Sequence, residues 1–543
     1  MKIFQPKLVT AIKGYGKKQL ISDLVAGVIV AIIALPLSIA LAIASGVSPE
    51  KGLYTAIVAG FVIAFLGGSR VNISGPTAAF ATIVAGIVAQ FGTGGLVIAT
   101  IMAGLILILM GVFRFGSLIK YIPYTITTGF TSGIALTIVI GQIKDFLGLT
   151  FPEGMPTVET AEKVEAVAKS ITTFNPQALL VGAIGMVILI VWPKISKKIP
   201  GSLVAVVAGV IIVKAFKLDV NTVGDLYTIS RELPKFSLPG FSFETVRQLI
   251  PSAFTIAVLA GIESLLSCVV SDGMINDKHN SNTELIAQGV GNICSGLFGG
   301  IPATGAIART AANVKNGGRS PIAGMVHAAV LLLILVVLMP YAAWIPMPII
   351  AAILFMVAYN MCEWRQFVKI CKTAPKSDIL VLVITFVLTV VFDLVVAIEV
   401  GMLIAVVLFM KRMADVARIR TWKNADEDSE RLKKIPEHTE VIEFEGPMFF
   451  ASSEKFGSVV IKEGITTVIL RMRNVPSLDA TAMRSLYEIY NTCKASGITL
   501  ILSHTNEQPL SVMKKAGFYD ELGEKNFLPN IDEALEYAEK LGE

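Results

Sequence analysis

Between Ser22 and Met410 the chain is a near-continuous succession of apolar segments separated by short polar turns, and no other feature narrows its possible folds as much. A bilayer core of about 30 Å takes about 20 helical residues, and each backbone N–H and C=O within it must find its partner inside the protein. Roughly fourteen such segments fit this stretch, several of them short or interrupted by Pro and Gly. The composition agrees, with 54% apolar residues, 16% charged residues and a mean hydropathy of +0.70, far from the soluble balance. An all-α polytopic membrane domain is expected over residues 1–420.

Charge placement orients it. Lys2, Lys7, Lys13, Lys17 and Lys18 precede the first apolar run, and Lys411, Arg412, Arg418 and Arg420 follow the last. By the positive-inside rule both termini are expected in the cytoplasm, which requires an even number of spans. Fourteen spans also place Arg70, then Arg114 and Lys120, then Lys194, Lys197 and Lys198, then Arg365, Lys369, Lys372 and Lys376 inside. The loop from Phe151 to Asn175, mildly acidic through Glu153, Glu159, Glu162 and Glu165, falls outside and reads as structural filler. The first run lacks a cleavage site and is expected to stay in the membrane. The net charge of +5 follows from the lysine bias and implies no nucleic-acid surface.

Other chemistries find little support. The five cysteines show no CxxC spacing and the four histidines do not cluster, so neither a disulfide framework nor a metal site is expected. No phosphate-cradling loop is present, so any transport is expected to be driven by gradients and not by ATP; neither an enzyme activity nor a cofactor is expected. Asp23 reads as a cap of the first helix. His327 reads as a helix-packing histidine ahead of a proton relay.

Two segments depart from lipid-facing helices. In VNISGPTAAFATIVAG (Val71 to Gly86) an extended tetrapeptide meets Gly75 and Pro76, where a helix can start with Thr77 in its first turn. In GGIPATGAIARTAANVKNGGRSP (Gly299 to Pro321) a poor helix former precedes IARTAANVK, which places Arg309 in a first turn. Paired interruptions in the two halves of a membrane chain point to a midplane site built from half-helix N-termini. Their free N–H groups and positive dipole ends suit an anion, and a cation at that depth is a functional hypothesis by default. Between them lies an apolar helix, Pro251 to Met274, with Glu263 at its centre and Ser267 one turn on. A carboxylate so deep needs a partner or a proton, so Glu263 is either the counter-ion of Arg309 or a coupling site.

After Arg420 the composition changes to a charged linker, residues 421–437, and then to soluble patterning over 438–543. Strand-like Val441 to Gly446, Thr467 to Met472 and Ile498 to Ser503 alternate with helical stretches, one carrying Ala482, Leu486, Ile489 and Cys493 on a single face. A small α/β domain is expected.

Taken together, PLSIALAIASGVSPEKGLYTA (Pro36 to Ala56), NISGPTAAF, the Glu263 helix, GAIARTAANVKNGGRSP and the C-terminal α/β domain resemble the SulP family of anion transporters. The resemblance implies a seven-plus-seven inverted repeat, an elevator-like movement of a core against a gate, a homodimer in the cell membrane, and a cytoplasmic STAS domain. It implies an anion site at Thr77, Phe80 and the N–H groups around Ala308 and Arg309. Glu263 matches the family's acidic position, and its company with Arg309 favours proton coupling; Ser267 leaves sodium open. In the STAS segment Asn474 to Leu486, Thr481 stands where anti-sigma antagonists carry a phospho-acceptor, although the neighbouring residues depart from their motif. Docking of a regulatory protein or dimer support is the main expectation for that domain. The resemblance favours proton symport of a small inorganic anion, sulfate first. Dicarboxylate or bicarbonate transport, anion exchange, or anion sensing through the STAS domain stand as alternatives.

Overall fold

The computed structural model describes residues 4–542 apart from 118–122, 153, 158, 197–198, 241, 393, 423–434, 458–460 and 463. The expectations for Lys2, Lys120, Lys197, Lys198 and Glu153, and for most of the linker, lie outside the described residues. The chain divides into two compact units, Met1–Met402 and Leu403–Glu543.

In the first unit a short α1 (Lys7–Ala11) precedes α2 (Lys17–Ala44), α3 (Pro49–Leu66), α4 (Ala81–Val112), α5 (Tyr124–Leu147), α6 (Thr160–Ser170), α7 (Pro176–Ile195), α8 (Gly201–Phe216) and α9 (Val223–Leu226). There follow α10 (Phe243–Ile275), α11 (Ser281–Leu297), α12 (Ile307–Lys315), α13 (Pro321–Ala342), α14 (Met347–Cys362), α15 (Trp364–Thr373) and α16 (Lys376–Val391), and α17 (Leu394–Val416) runs from the first unit into the second. Among the described residues, eight helices are long and apolar enough to cross a membrane. Gly92, at φ 66°, takes a conformation open to glycine and breaks α4 into two pieces. With both counted, α2 to α5, α7, α8, α10 to α14, α16 and α17 make fourteen helical pieces among the described residues.

Their packing repeats at an interval of seven pieces. The pair α3 and α13 is mirrored by α11 and α4, α2 and α13 by α10 and α4, and α5 and α16 by α14 and α7. Two groups of helices result: α2, α3, α4 and α10 to α13 pack on one another, while α5, α7, α8, α14 and α16 form the other cluster. Where α4 crosses α11, a Cβ on Gly104 or Gly289 would stand 2.5 Å from the other's carbonyl oxygen. Small residues let membrane helices meet backbone to backbone. Gly289→Leu is expected to destabilise the fold by about 1–3 kcal/mol through overpacking, seen as a lower midpoint of thermal unfolding in detergent; an unchanged midpoint would mean that the two helices can part without cost.

Asp23 does not cap the first helix. It lies fully buried inside α2, whose N-cap is Gly16. Its carboxylate accepts hydrogen bonds from the Tyr15 hydroxyl at 2.7 Å, the Gln19 amide at 3.1 Å, the Arg319 N–H at 2.7 Å and the Ser320 hydroxyl at 2.5 Å. The cause is long-range: residues 317–320 return over α2 and start α13, with Ser320 as its N-cap. The acidic loop carries α6, closed by a capping box between Glu159 and Glu162.

The second unit is an α/β domain. Its sheet has the order β3 (Arg418–Thr421), β4 (Thr439–Glu445), β5 (Thr467–Asn474), β6 (Thr499–Ser503) and β7 (Phe527–Leu528). Only β3, among the described strands, joins it antiparallel. Alternate residues of the central strands enter opposite cores: Phe444, Leu470 and Leu502 meet Leu486 and Phe518, whereas Val441, Ile469 and Ile501 meet Ile531 and Leu535. Burial on both faces explains the apolar runs Val468–Leu470 and Leu500–Leu502 at the sheet centre. Leu486 belongs to α18 (Ala480–Ala495) and Leu535 to α19 (Ile531–Gly542). β3 crosses the boundary expected at residue 420 between the membrane domain and the linker; its mostly exposed RIRT sequence carries no apolar run by which to recognise it.

Candidate functional site

The two interrupted segments meet. A two-residue strand β1 (Ser74–Gly75) pairs antiparallel with β2 (Thr304–Gly305), in register Ser74↔Gly305 and Gly75↔Thr304. A further bond runs from the Ala306 N–H to the Ile73 carbonyl at 2.8 Å. Beyond each strand a helix begins: a 3-10 turn Ala78–Phe80 leads into α4, and α12 starts at Ile307. At nine residues and about 1.5 Å per residue, α12 reaches less than halfway across a bilayer core. Neither start has a side-chain cap, so its first N–H groups stay free for a ligand.

The seam is held from behind by α10. The Thr304 hydroxyl donates to the Ala260 carbonyl at 2.9 Å, and the Gly305 N–H donates to the Ser264 hydroxyl at 2.9 Å. A Cβ on Gly305 would stand 2.7 Å from the Asn72 amide and 3.0 Å from the Ser264 Cα, so glycine is required by space. Ser267, expected near a coupling ion, belongs to this scaffold. Fully buried, it donates to Asn72 Oδ1 at 2.8 Å and lies 3.1 Å from the Thr310 hydroxyl.

Glu263 stands one turn before Ser267 on α10 and reaches the start of α4. Its carboxylate accepts a hydrogen bond from the Thr77 hydroxyl at 3.0 Å. Arg309 is 4% exposed, and one of its terminal nitrogens donates to the Pro76 carbonyl while the other, Nη1, has no partner. The charges of Glu263 and Arg309 act on each other, yet no ion pair joins them among the described residues. Thr77 is half-buried, Phe80 is buried against the same turn, and Ala308 is exposed in the first turn of α12. Thr77, Phe80, Ala308 and Arg309 are thus brought to the two facing helix starts, with Glu263 beside them and Ser267 behind. A buried guanidinium with a free N–H, flanked by two uncapped helix starts, can take an oxyanion through charge-assisted hydrogen bonds.

Sequence reasoning missed the carboxylate that shapes the approach to this site. Glu284, fully buried in the first turn of α11, accepts from the Gly68 N–H at 2.8 Å, the Ser69 N–H at 3.2 Å, the Asn72 amide at 2.8 Å and the Gln288 amide at 3.0 Å. Gln288 in turn donates to the Ser74 hydroxyl at 2.9 Å. A signal was present, a Glu and a Gln one turn apart on a helix meant for lipid. Four donors match an acceptor-only carboxylate. Glu284→Gln turns a donor on donors and is expected to cost about 1–3 kcal/mol, read as a lower unfolding midpoint than wild type; equal midpoints would mean the network rearranges freely. His327 is buried as a packing residue should be, but neither ring nitrogen has a partner.

In the second unit Thr481 is exposed in the first turn of α18. Its neighbour Asp479 caps that helix, accepting from the Ala482 N–H at 2.9 Å, and holds the Phe450 N–H at 2.9 Å. A phosphate on Thr481 would gain from the helix start and lose to the adjacent carboxylate.

Comparison with known proteins places these features in context. The profile of the Sulfate permease family matches residues 20–385, and that of the STAS domain matches residues 431–534. The Bacillus subtilis protein YvdB, named as a candidate sulfate transporter, is 40% identical over 96% of this chain and 98% of its own. The bicarbonate transporter BicA of Picosynechococcus is 34% identical over 75% of this chain and 73% of its own. The solved transmembrane domain of a cyanobacterial BicA aligns with a TM-score of 0.63 at 32% identity, covering 71% of this chain and 98% of that one. Murine Slc26a9, an anion transporter, aligns with a TM-score of 0.89 over 98% of this chain and 94% of its own, at 20% identity, a likeness of fold alone.

Proposed function

Because the chain belongs to the sulfate permease family of membrane anion transporters and carries a STAS domain, we propose that it is a secondary active transporter of a small inorganic anion, sulfate first, driven by proton symport. The observation that carries this reading is the pair of uncapped helix starts bridged by β1 and β2, with the free Nη1 of buried Arg309 beside them. Thr77, Phe80, Ala308 and Arg309 bind the anion, and Glu263 takes the proton. Ser267, engaged with Asn72 and Thr310, offers little to a sodium ion. The two helix groups suit an elevator-like step, in which the group holding the site moves against the other. In this reading the chain works as a homodimer in the cell membrane with both termini cytoplasmic, and its STAS domain supports the dimer or receives a regulatory protein, with Thr481 as the candidate modification point.

The test is uptake of radiolabelled sulfate into proteoliposomes under an inward proton gradient, a sodium gradient or none. Accumulation under the proton gradient alone is the expected result, and it would also exclude a pure sensor. Bicarbonate is the second reading, favoured by the 34% identity to a bicarbonate transporter. Labelled bicarbonate uptake without sulfate uptake would transfer the assignment to it.

A further inference from the structure

Away from the anion site, α2, α8 and α13 leave an apolar cleft of about 290 Å³, lined by residues such as Pro36, Ile39, Val207, Ile211, Met339 and Trp344. It lies on the seam between the two helix groups, because α2 and α13 belong to the site-bearing group and α8 to the other. Val207 and Ile211 are half exposed or more, so the cleft opens toward the lipid. The cleft's lining is almost wholly apolar, which suits a hydrocarbon chain.

One end of the cleft has the chemistry of a membrane interface. Trp344 and Tyr341 stack edge to face there, 5.2 Å between ring centroids, and both are well exposed. Such rings sit at headgroup level. Lys214, in the last turn of α8, places its ammonium 2.8 Å from the centroid of the Trp344 ring. Among the described residues no carboxylate pairs with it. A free cation over an aromatic ring at the mouth of an apolar cleft complements an anionic phosphate with a hydrocarbon tail.

We infer that the cleft holds one acyl chain of an anionic phospholipid, whose phosphate rests on Lys214. A tail lodged there touches both helix groups at once, so its presence bears on any movement between them.

The test is native mass spectrometry of the full chain in detergent, with phosphatidylglycerol and phosphatidylcholine of matched acyl chains added together. Wild type should retain phosphatidylglycerol over phosphatidylcholine by about fivefold, the preference expected of one lysine at an anionic surface. Lys214→Gln should bring the ratio to parity, and Lys214→Arg should restore it, which separates lost charge from a disturbed fold. Val207→Trp, which fills the cleft, should lose the retained lipid of either kind. An equal ratio in wild type and Lys214→Gln, or retained lipid in Val207→Trp, overturns the inference. So does a disulfide between two copies carrying Val207→Cys, which would show a second copy covering the cleft. None of these readouts depends on the transported anion.

Discussion

Arg309→Ala is expected to weaken anion binding by about 100-fold or more, the loss of charge-assisted hydrogen bonds at a desolvated site, while the protein still folds. The residue is placed for a ligand more than for packing. It donates to one backbone carbonyl, Pro76, and keeps Nη1 free. The bridge between β1 and β2 and the hydroxyls of Thr304, Ser264 and Thr310 hold the two helix starts without it. Removing the guanidinium therefore leaves the cradle and takes away its charge. Two helix dipoles alone contribute little to an anion, typically about 0.3–1 kcal/mol each. Binding of labelled sulfate to purified protein measures the effect, with the unfolding midpoint as control. Arg309→Lys should recover part of the affinity, since a point charge replaces a fork. Wild-type affinity in Arg309→Ala would remove the residue from the site.

The sequence and the structure agree where a local cause dominates. Lipid dictates long apolar helices, so the segments were legible, and against that background Gly75, Pro76 and Arg309 stood out as breaks. In the STAS domain, short apolar segments located β4, β5 and β6, and a helical period located α18, because each packs into a core. What stayed hidden depends on which distant elements meet. Asp23 reads as a cap because aspartate near a helix start usually is one, yet its partners Arg319 and Ser320 come from the far half of the chain. Ser267 shares a helix face with Glu263, as the spacing says, but its hydroxyl is taken up by Asn72 and Thr310. Glu284 looks like an ordinary first-turn acid until the Gly68 and Ser69 N–H groups close on it. Each miss is a buried polar group satisfied across the repeat, where only the fold tells which donors arrive.

Glu263→Gln is expected to abolish proton-driven accumulation while leaving anion exchange across the membrane within a few-fold of wild type. The substitution keeps the shape and keeps an oxygen to accept from the Thr77 hydroxyl; it removes the ability to bind and release a proton. Since Glu263 forms no ion pair with Arg309 in this arrangement, the arginine is free for the anion and the carboxylate has a single neutral donor. An anion that enters together with a proton brings less net charge into a poorly hydrated site than the anion alone. Uptake by wild type should accordingly rise as the external pH falls, and uptake by Glu263→Gln should be flat with pH. If the variant kept the wild-type pH profile, Glu263 would be structural and the proton would enter elsewhere. Loss of exchange together with accumulation would place Glu263 in anion binding itself, and would return it to the role of counter-ion for Arg309.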